Sequence, residues 1–188
     1  MNLLPNVKVL VVDDHPMVRD GISAVVDYQD DLEVVGQAAN AAEAIALFES
    51  LAPDVTLVDL RLPDMDGIEL IRILRAKSAT ARFIVITAEA GGGEIAKALG
   101  AGAHAYLFKN GPFAELFTAI RAVPTGGRYL PEAMHHAAAS AAAPPESTAP
   151  GSEVKRWIVR CLAMWASKRR SPGFRLDRAE AKSDCPTA

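Results

Sequence analysis

Short apolar runs, each closed by a polar residue, set the rhythm of this chain. VKVLVV ends at Asp13 and Asp14, VTLV at Asp59, FIVI at Thr87 and AYLF at Lys109. Such runs, rich in Val, Ile and Leu, predict strands buried on both faces. Amphipathic stretches at helical spacing lie between them, so strand and helix alternate five times from Val7 to about Val123. Val18, Ile22, Val25 and Val26 mark the first helix; Ile45, Phe48 and Leu51 the second; Leu70, Ile71 and Leu74 the third; Leu116, Phe117 and Ile120 the fifth. Asn40 with Glu43, and Asp66 with Glu69, stand at capping-box spacing before helices two and three. Pro16 and Pro112 suit a first helical turn, where a missing N–H costs nothing. The fourth helix, Gly91–Gly102, opens on three glycines, so a mobile loop is expected before it.

This alternation predicts an α/β domain with a parallel sheet, and it places the polar residues together. Side chains at the carboxyl ends of neighbouring parallel strands converge on one crevice. Three carboxylates, a hydroxyl and an ammonium would then surround one small volume, a set suited to magnesium-assisted phosphoryl transfer to an aspartate. Asp59, held rigidly at the end of a buried strand, is the candidate nucleophile. Asp13 and Asp14 taken alone read equally well as acids favoured by a helix dipole. That reading leaves Asp59 and Lys109 unexplained at two further strand ends. A dehalogenase-type nucleophile would need an aspartate where Arg61 stands, and PDMDG lacks the later acid of a calcium loop. Asp64 and Asp66 read as turn and cap residues, His15 as a loop residue, and His104, His135 and His136 have no ligand-like company.

The motifs VLVVDDHPMVRDG, DVTLVDLRLPDMDGIEL, ITA and GAGAHAYLFK resemble, in order and spacing, the receiver domain of two-component response regulators. The DDHP opening and GGRYL after the fifth helix are similar to the NarL/FixJ-type subfamily. The resemblance covers residues 6–130 and implies a doubly wound, flavodoxin-like (βα)5 fold with strand order 2-1-3-4-5. It also implies that Asp59 accepts a phosphoryl group from a sensor histidine kinase. Mg2+ would be held by Asp14, by Asp13 mostly through water, by Asp59 and by the Arg61 backbone carbonyl. Lys109 would pair with the phosphoryl group and Thr87 would hydrogen-bond to it. Tyr106 would be the switch aromatic, turning into space that Thr87 vacates, and the face of helix four, strand five and helix five would then change shape and recruit a partner or a second copy, as a homodimer. Ala88 is small, as phosphate access requires, and Ala105 replaces a glycine usual before the switch tyrosine. No enzyme activity is implied beyond self-catalysed phosphotransfer and autodephosphorylation.

Bulk composition adds a boundary. The 188 residues are 50% hydrophobic and 23% charged, with a net charge of −3. Residues 1–150 carry 11 Lys/Arg against 19 Asp/Glu, a net of −8, whereas residues 151–188 carry 9 against 4, a net of +5. No apolar stretch approaches the ~20 residues of a membrane span, and the N-terminus lacks an export signal's pattern. Both cysteines, Cys161 and Cys185, lie in the tail without metal-ligand spacing, which fits a cytoplasmic protein.

The expected layout is a receiver at 1–130, a linker at 131–152 rich in Ala, Pro and Ser, and an output segment at 153–188. Within that segment EVKRWIVRCLAMWASKR predicts one amphipathic helix, about 153–168, followed by disorder. The helix is faintly similar to the start of a LuxR-type helix-turn-helix. The family implies DNA as a partner, but the tail lacks the turn and recognition helix that specific readout requires. Three readings stand: a truncated or frame-shifted remnant, a basic helix that docks on a partner or membrane surface, and a non-specific nucleic-acid contact. The abrupt end of the similarity favours the first.

Overall fold

In a computed structural model, which describes residues 6–88 and 92–131, the alternation folds as one five-stranded parallel sheet. The strands are β1 (Val7–Val12), β2 (Leu32–Ala38), β3 (Val55–Val58), β4 (Phe83–Thr87) and β5 (Ala105–Phe108), in the order β2-β1-β3-β4-β5. The helices are α1 (Pro16–Val26), α2 (Ala41–Leu51), α3 (Gly67–Lys77), α4 (Gly92–Ala101) and α5 (Phe113–Ala122). A short 3-10 turn, Val123–Thr125, closes the unit. The linker and output calls, residues 132–188, lie outside the described residues, as does the stretch before α4 expected to be mobile.

Strand periodicity divides the core into two layers. Val9, Val11, Leu57, Ile84, Ile86 and Leu107 face Val18, Ile22 and Val25 of α1 and Leu116 and Ile120 of α5. Leu10, Val12, Val58, Phe83, Val85 and Tyr106 face α2, α3 and α4. The central strands β3 and β4 are buried at every position, as continuous apolar runs require. The edge strand β2 is only partly buried.

Local chemistry sets the helix ends. Asn40 accepts the Glu43 N–H at 2.9 Å, while Glu43 reaches back to the Ala39 N–H at 2.8 Å. Asp66 caps α3 through Ile68 N–H, but Glu69 turns away to Arg72, so only half of that expected box forms. Pro16 occupies the first turn of α1, whereas Pro112 sits one position earlier than expected, as the N-cap of α5. Its ring fixes φ at −64°, and the extended ψ of 137° turns the chain into the helix. The stripe of α2 also differs from the expected one. Ala41, Ala44 and Phe48 are its buried residues, with Ile45 and Leu47 packed at the margin. Small alanines allow α2 to lie close to the sheet. Gly102, at φ 112°, ends α4 with paired bonds from Gly102 N–H to Leu99 and Ala103 N–H to Ala98.

One glycine governs how α3 meets the end of β3. A Cβ on Gly67 would lie 2.2 Å from the Asp59 carbonyl oxygen and 2.8 Å from the Leu60 Cα. Both are backbone atoms and cannot swing aside. Gly67→Ala should therefore destabilise the domain by about 1–3 kcal/mol. Gly100→Ala, in α4 where a Cβ meets nothing within 4 Å, should stabilise by roughly 0.5–1 kcal/mol. Urea unfolding midpoints of the two variants check this pair; similar shifts of the same sign would contradict it.

Candidate functional site

The ladder that orders the strands also brings their polar ends together. Asp59 N–H donates to the Val12 carbonyl at 2.9 Å, and Lys109 N–H to the Thr87 carbonyl at 2.7 Å. Asp13 N–H donates to Ala38 at 3.1 Å. Each residue just past a strand is thus tied to the neighbouring strand before its side chain is considered. Asp13, Asp59, Thr87 and Lys109 are all buried, at 1%, 3%, 4% and 3% exposure. Asp14 is half-buried at the mouth.

Lys109 lies at the centre. Its Nζ is 2.7 Å from Asp13 Oδ2 and 2.6 Å from Asp59 Oδ2, so one ammonium bridges both buried carboxylates. Burial alone would push the Lys109 pKa down, but the two carboxylates outweigh it and hold the group above its ordinary 10.5. Burial pushes the Asp59 carboxyl up from its ordinary 3.8, against the opposing pull of Lys109. The other Asp59 oxygen receives the Arg61 N–H at a long 3.4 Å. Asp13 Oδ1 accepts the His15 N–H at 2.9 Å, which fixes that carboxylate's orientation.

Asp13, Asp14, His15 and Asp59 each present a ligand atom within 4.8 Å of the others. Hard carboxylate oxygens, two of them on rigid buried side chains, suit a small hard divalent cation that keeps several of its waters. The group can therefore take up a cation, with Lys109 neutralising Asp13 and Asp59 in the meantime.

Asp13, Asp14, Asp59, Arg61, Thr87 and Lys109 lie at this end of the sheet, and the structure adds contacts that the sequence did not suggest. Tyr106, the expected switch aromatic, is fully buried under α4. Its hydroxyl has no hydrogen-bond partner, and burial pushes its pKa well above the ordinary 10.0. Arg61 contributes a side chain as well as a backbone: its guanidinium reaches Glu94 of α4 at 3.0 Å. No local signal predicted that pair, because the partners stand 33 residues apart. Asp64 likewise exceeds its reading as a turn residue. It accepts the Ala41 and Ala42 N–H groups at 2.9 and 3.0 Å, capping α2 from the loop that follows Asp59. His15, read as a loop residue, is the N-cap position of α1 and bonds Asp14 at 2.5 Å.

A five-stranded doubly wound sheet carrying buried carboxylates and a lysine at its carboxyl end defines a receiver-type module. The response regulator receiver domain model matches residues 9–121, and the chain belongs to that family. The nitrate/nitrite response regulator protein NarL of Escherichia coli K12 is 37% identical over 126 residues, covering 67% of this chain and 58% of that protein. The transcriptional regulatory protein LiaR of Bacillus subtilis is 38% identical over 120 residues, 64% of this chain and 57% of that protein. A LuxR-family two-component response regulator structure from Aurantimonas sp. SI85-9A1 superposes with a TM-score of 0.69 at 35% identity, covering 72% of this chain and 96% of that one. These similarities place the chain with NarL/FixJ-type receivers. The chain spans less than two thirds of the curated relatives it matches.

The bridge through Lys109 generates a pH test. Lys109→Met leaves buried Asp59 without its cation and raises its carboxyl pKa further. A carboxyl raised in the fold favours folding below its ordinary 3.8, and that contribution is lost as pH rises through the folded value. The deficit of Lys109→Met against the unmodified protein should therefore grow with pH, reaching about 3 kcal/mol near neutrality. Urea unfolding across the acid range measures it, and a deficit independent of pH would contradict the bridge.

Proposed function

We propose that this receiver is the phospho-accepting component of a two-component relay, with Asp59 the nucleophile and a phosphohistidine on a sensor kinase the donor. The observation that carries the reading is the Lys109 ammonium within 2.7 Å of both buried carboxylates at the sheet's carboxyl end. An Asp59 carboxylate oxygen attacks phosphorus, the new O–P bond forms, and the P–N bond to the donor imidazole breaks. Bound Mg2+ would neutralise charge on the transferring group, held by Asp13, Asp14, Asp59 and the Arg61 carbonyl. As the phosphoryl group arrives, Lys109 exchanges a carboxylate contact for a phosphoryl oxygen. Thr87, buried one strand away, donates its hydroxyl to another. The chain itself needs no further activity than this self-catalysed acceptance and later hydrolysis.

The output follows from the same family. NarL and LiaR are named as a response regulator and a transcriptional regulator, which supports transcription regulation in the cytoplasm as this protein's role. Among the described residues no helix is long and apolar enough to cross a membrane. A second reading, a phospho-switch acting through protein contacts and a homodimer across α4, β5 and α5, is favoured by Tyr106. That residue already lies buried beneath α4, so the state of the site is coupled by packing to this face.

With a small-molecule phosphodonor and magnesium the protein should gain one acid-labile phosphoryl group, lost in Asp59→Asn and on chelation of the metal. Intact-mass measurement reads the addition, and labelling that persists in Asp59→Asn would refute the assignment. Under the second reading, binding to promoter and random DNA, titrated with salt, should show no sequence preference. A clear specificity ratio would instead establish direct readout by this chain.

A further inference from the structure

The amino-terminal ends of β4 and β5, the pole opposite the carboxylates, carry a cluster of the other sign. Arg82 immediately precedes β4, His104 immediately precedes β5, and Arg75 lies near the end of α3. Arg75 and Arg82 each donate from a guanidinium NH1 to the same carbonyl, that of Ala81, at 2.9 and 3.4 Å. His104 is fastened beside them. Its N–H bonds Phe83 at 2.8 Å and its Nδ1 accepts the Phe83 N–H at 3.4 Å. The chain after α5 then folds back, and Tyr129 N–H bonds the His104 carbonyl at 3.0 Å. Arg128, exposed, thereby stands at the same edge.

Charge pairing separates this group from three other arginines, while Arg19, also without a carboxylate among the described residues, donates to the Asp13 carbonyl at 2.7 Å at the opposite pole. Arg61, Arg72 and Arg121 each meet a carboxylate, on Glu94, Glu69 and Asp31. Arg75, Arg82 and Arg128 meet none among the described residues, although residues 1–150 hold 19 acids against 11 bases. An acidic domain that leaves three neighbouring guanidinia without a counter-ion has arranged a local positive field. Two further facts agree. Arg82 Nε is buried with no acceptor, an unmet donor that calls for an explanation. The His104 imidazole is pushed down to about 4, first by burial and then by Arg82, Arg75 and Arg128. It is therefore neutral, and with Nδ1 accepting from Phe83 its Nε2 carries the proton.

We propose that this pole is a binding site for a phosphate-type oxyanion, held by Arg75, Arg82 and Arg128 with His104 as a neutral donor. Planar guanidinium forks match phosphate oxygens, and three of them offer more donors than the two oxygens of one carboxylate can use. Beside Arg82 an open cleft of about 510 Å³, lined in part by Phe48, Pro53, Lys77 and Thr80 and by the acidic Glu49 and Asp54, leaves room for the organic part of a phosphate ester. The site is independent of Asp59, which lies at the other end of the strands.

The test is a titration of the full chain, metal-free, with inorganic phosphate, followed by amide chemical shifts. Chloride at matched ionic strength separates binding from screening. Saturable shifts are expected at Phe83, His104 and Tyr129, together with a rise in the His104 pKa. In Arg75→Gln/Arg128→Gln the affinity should fall roughly tenfold or more, while amide dispersion remains that of the folded protein. Adenosine monophosphate distinguishes the sources: tighter binding than phosphate indicates an ester whose organic part enters the cleft, and equal binding indicates the free anion. The proposal is overturned if phosphate shifts these amides no more than chloride, if acetate matches phosphate, or if the double variant binds undiminished. Should the double variant lose its fold, Arg128→Gln alone, at an exposed position, must still weaken binding.

Discussion

The Lys109 ammonium is the charge on which the site's construction depends. Three carboxyl groups brought to one end of a sheet repel one another, and two of them are buried beyond the reach of solvent screening. Lys109 makes the cluster tolerable by touching Asp13 and Asp59 together, at 2.7 and 2.6 Å. A buried ion pair of this kind offsets desolvation rather than adding much stability. Its value lies in poise. The carboxylates stay oriented, and the cation holding them is on a flexible stem that can exchange one contact for another.

That arrangement was legible in the sequence because it is dictated by strand geometry. A polar residue directly after a continuous apolar run can only lie at the strand's end, and parallel strands bring such ends together. Asp13, Asp59, Thr87 and Lys109 needed nothing further. The capping of α2 by Asp64 and the reach of Arg61 to Glu94 were not legible, since their partners lie 23 and 33 residues away. Such pairs arise from how loops pass over one another, which no periodicity encodes. The stripe of α2 was misjudged for a different reason: Ala41 and Ala44 carry little hydrophobic signal, yet closeness to the sheet makes them its most buried positions.

Tyr106 shows how packing and polarity compete at the same site. Its ring fills space in the layer under α2, α3 and α4, and that burial contributes roughly 1.5–3 kcal/mol for an aromatic side chain. The hydroxyl is carried in with the ring and finds no partner, which costs about 1–3 kcal/mol. The two terms nearly cancel. A residue balanced in this way needs little new interaction energy to change its preference, and Arg61, Glu94 and Asp59 all act electrostatically on it. The mostly exposed Arg61–Glu94 pair is itself worth only about 0–1 kcal/mol. A dianion placed on Asp59, as proposed, would therefore act on a tyrosine and an ion pair that are both close to indifferent.

The two ends of the sheet solve opposite electrostatic problems with the same backbone. At the carboxyl ends of the strands, burial concentrates negative charge and a single lysine holds it. At the amino ends, Arg75 and Arg82 share the Ala81 carbonyl, Arg82 also donates to the Thr80 carbonyl, and Arg82 Nε finds no acceptor. Had stability been the only constraint, any of the surplus acids could have been placed beside them, as Glu94, Glu69 and Asp31 are placed beside other arginines. The neutral His104 sharpens the point. An imidazole surrounded by three guanidinia can remain neutral at little cost, whereas a lysine there would add a fourth charge. The residue at that position thus supplies a hydrogen-bond donor without adding repulsion, which is the property an oxyanion site needs from its fourth member.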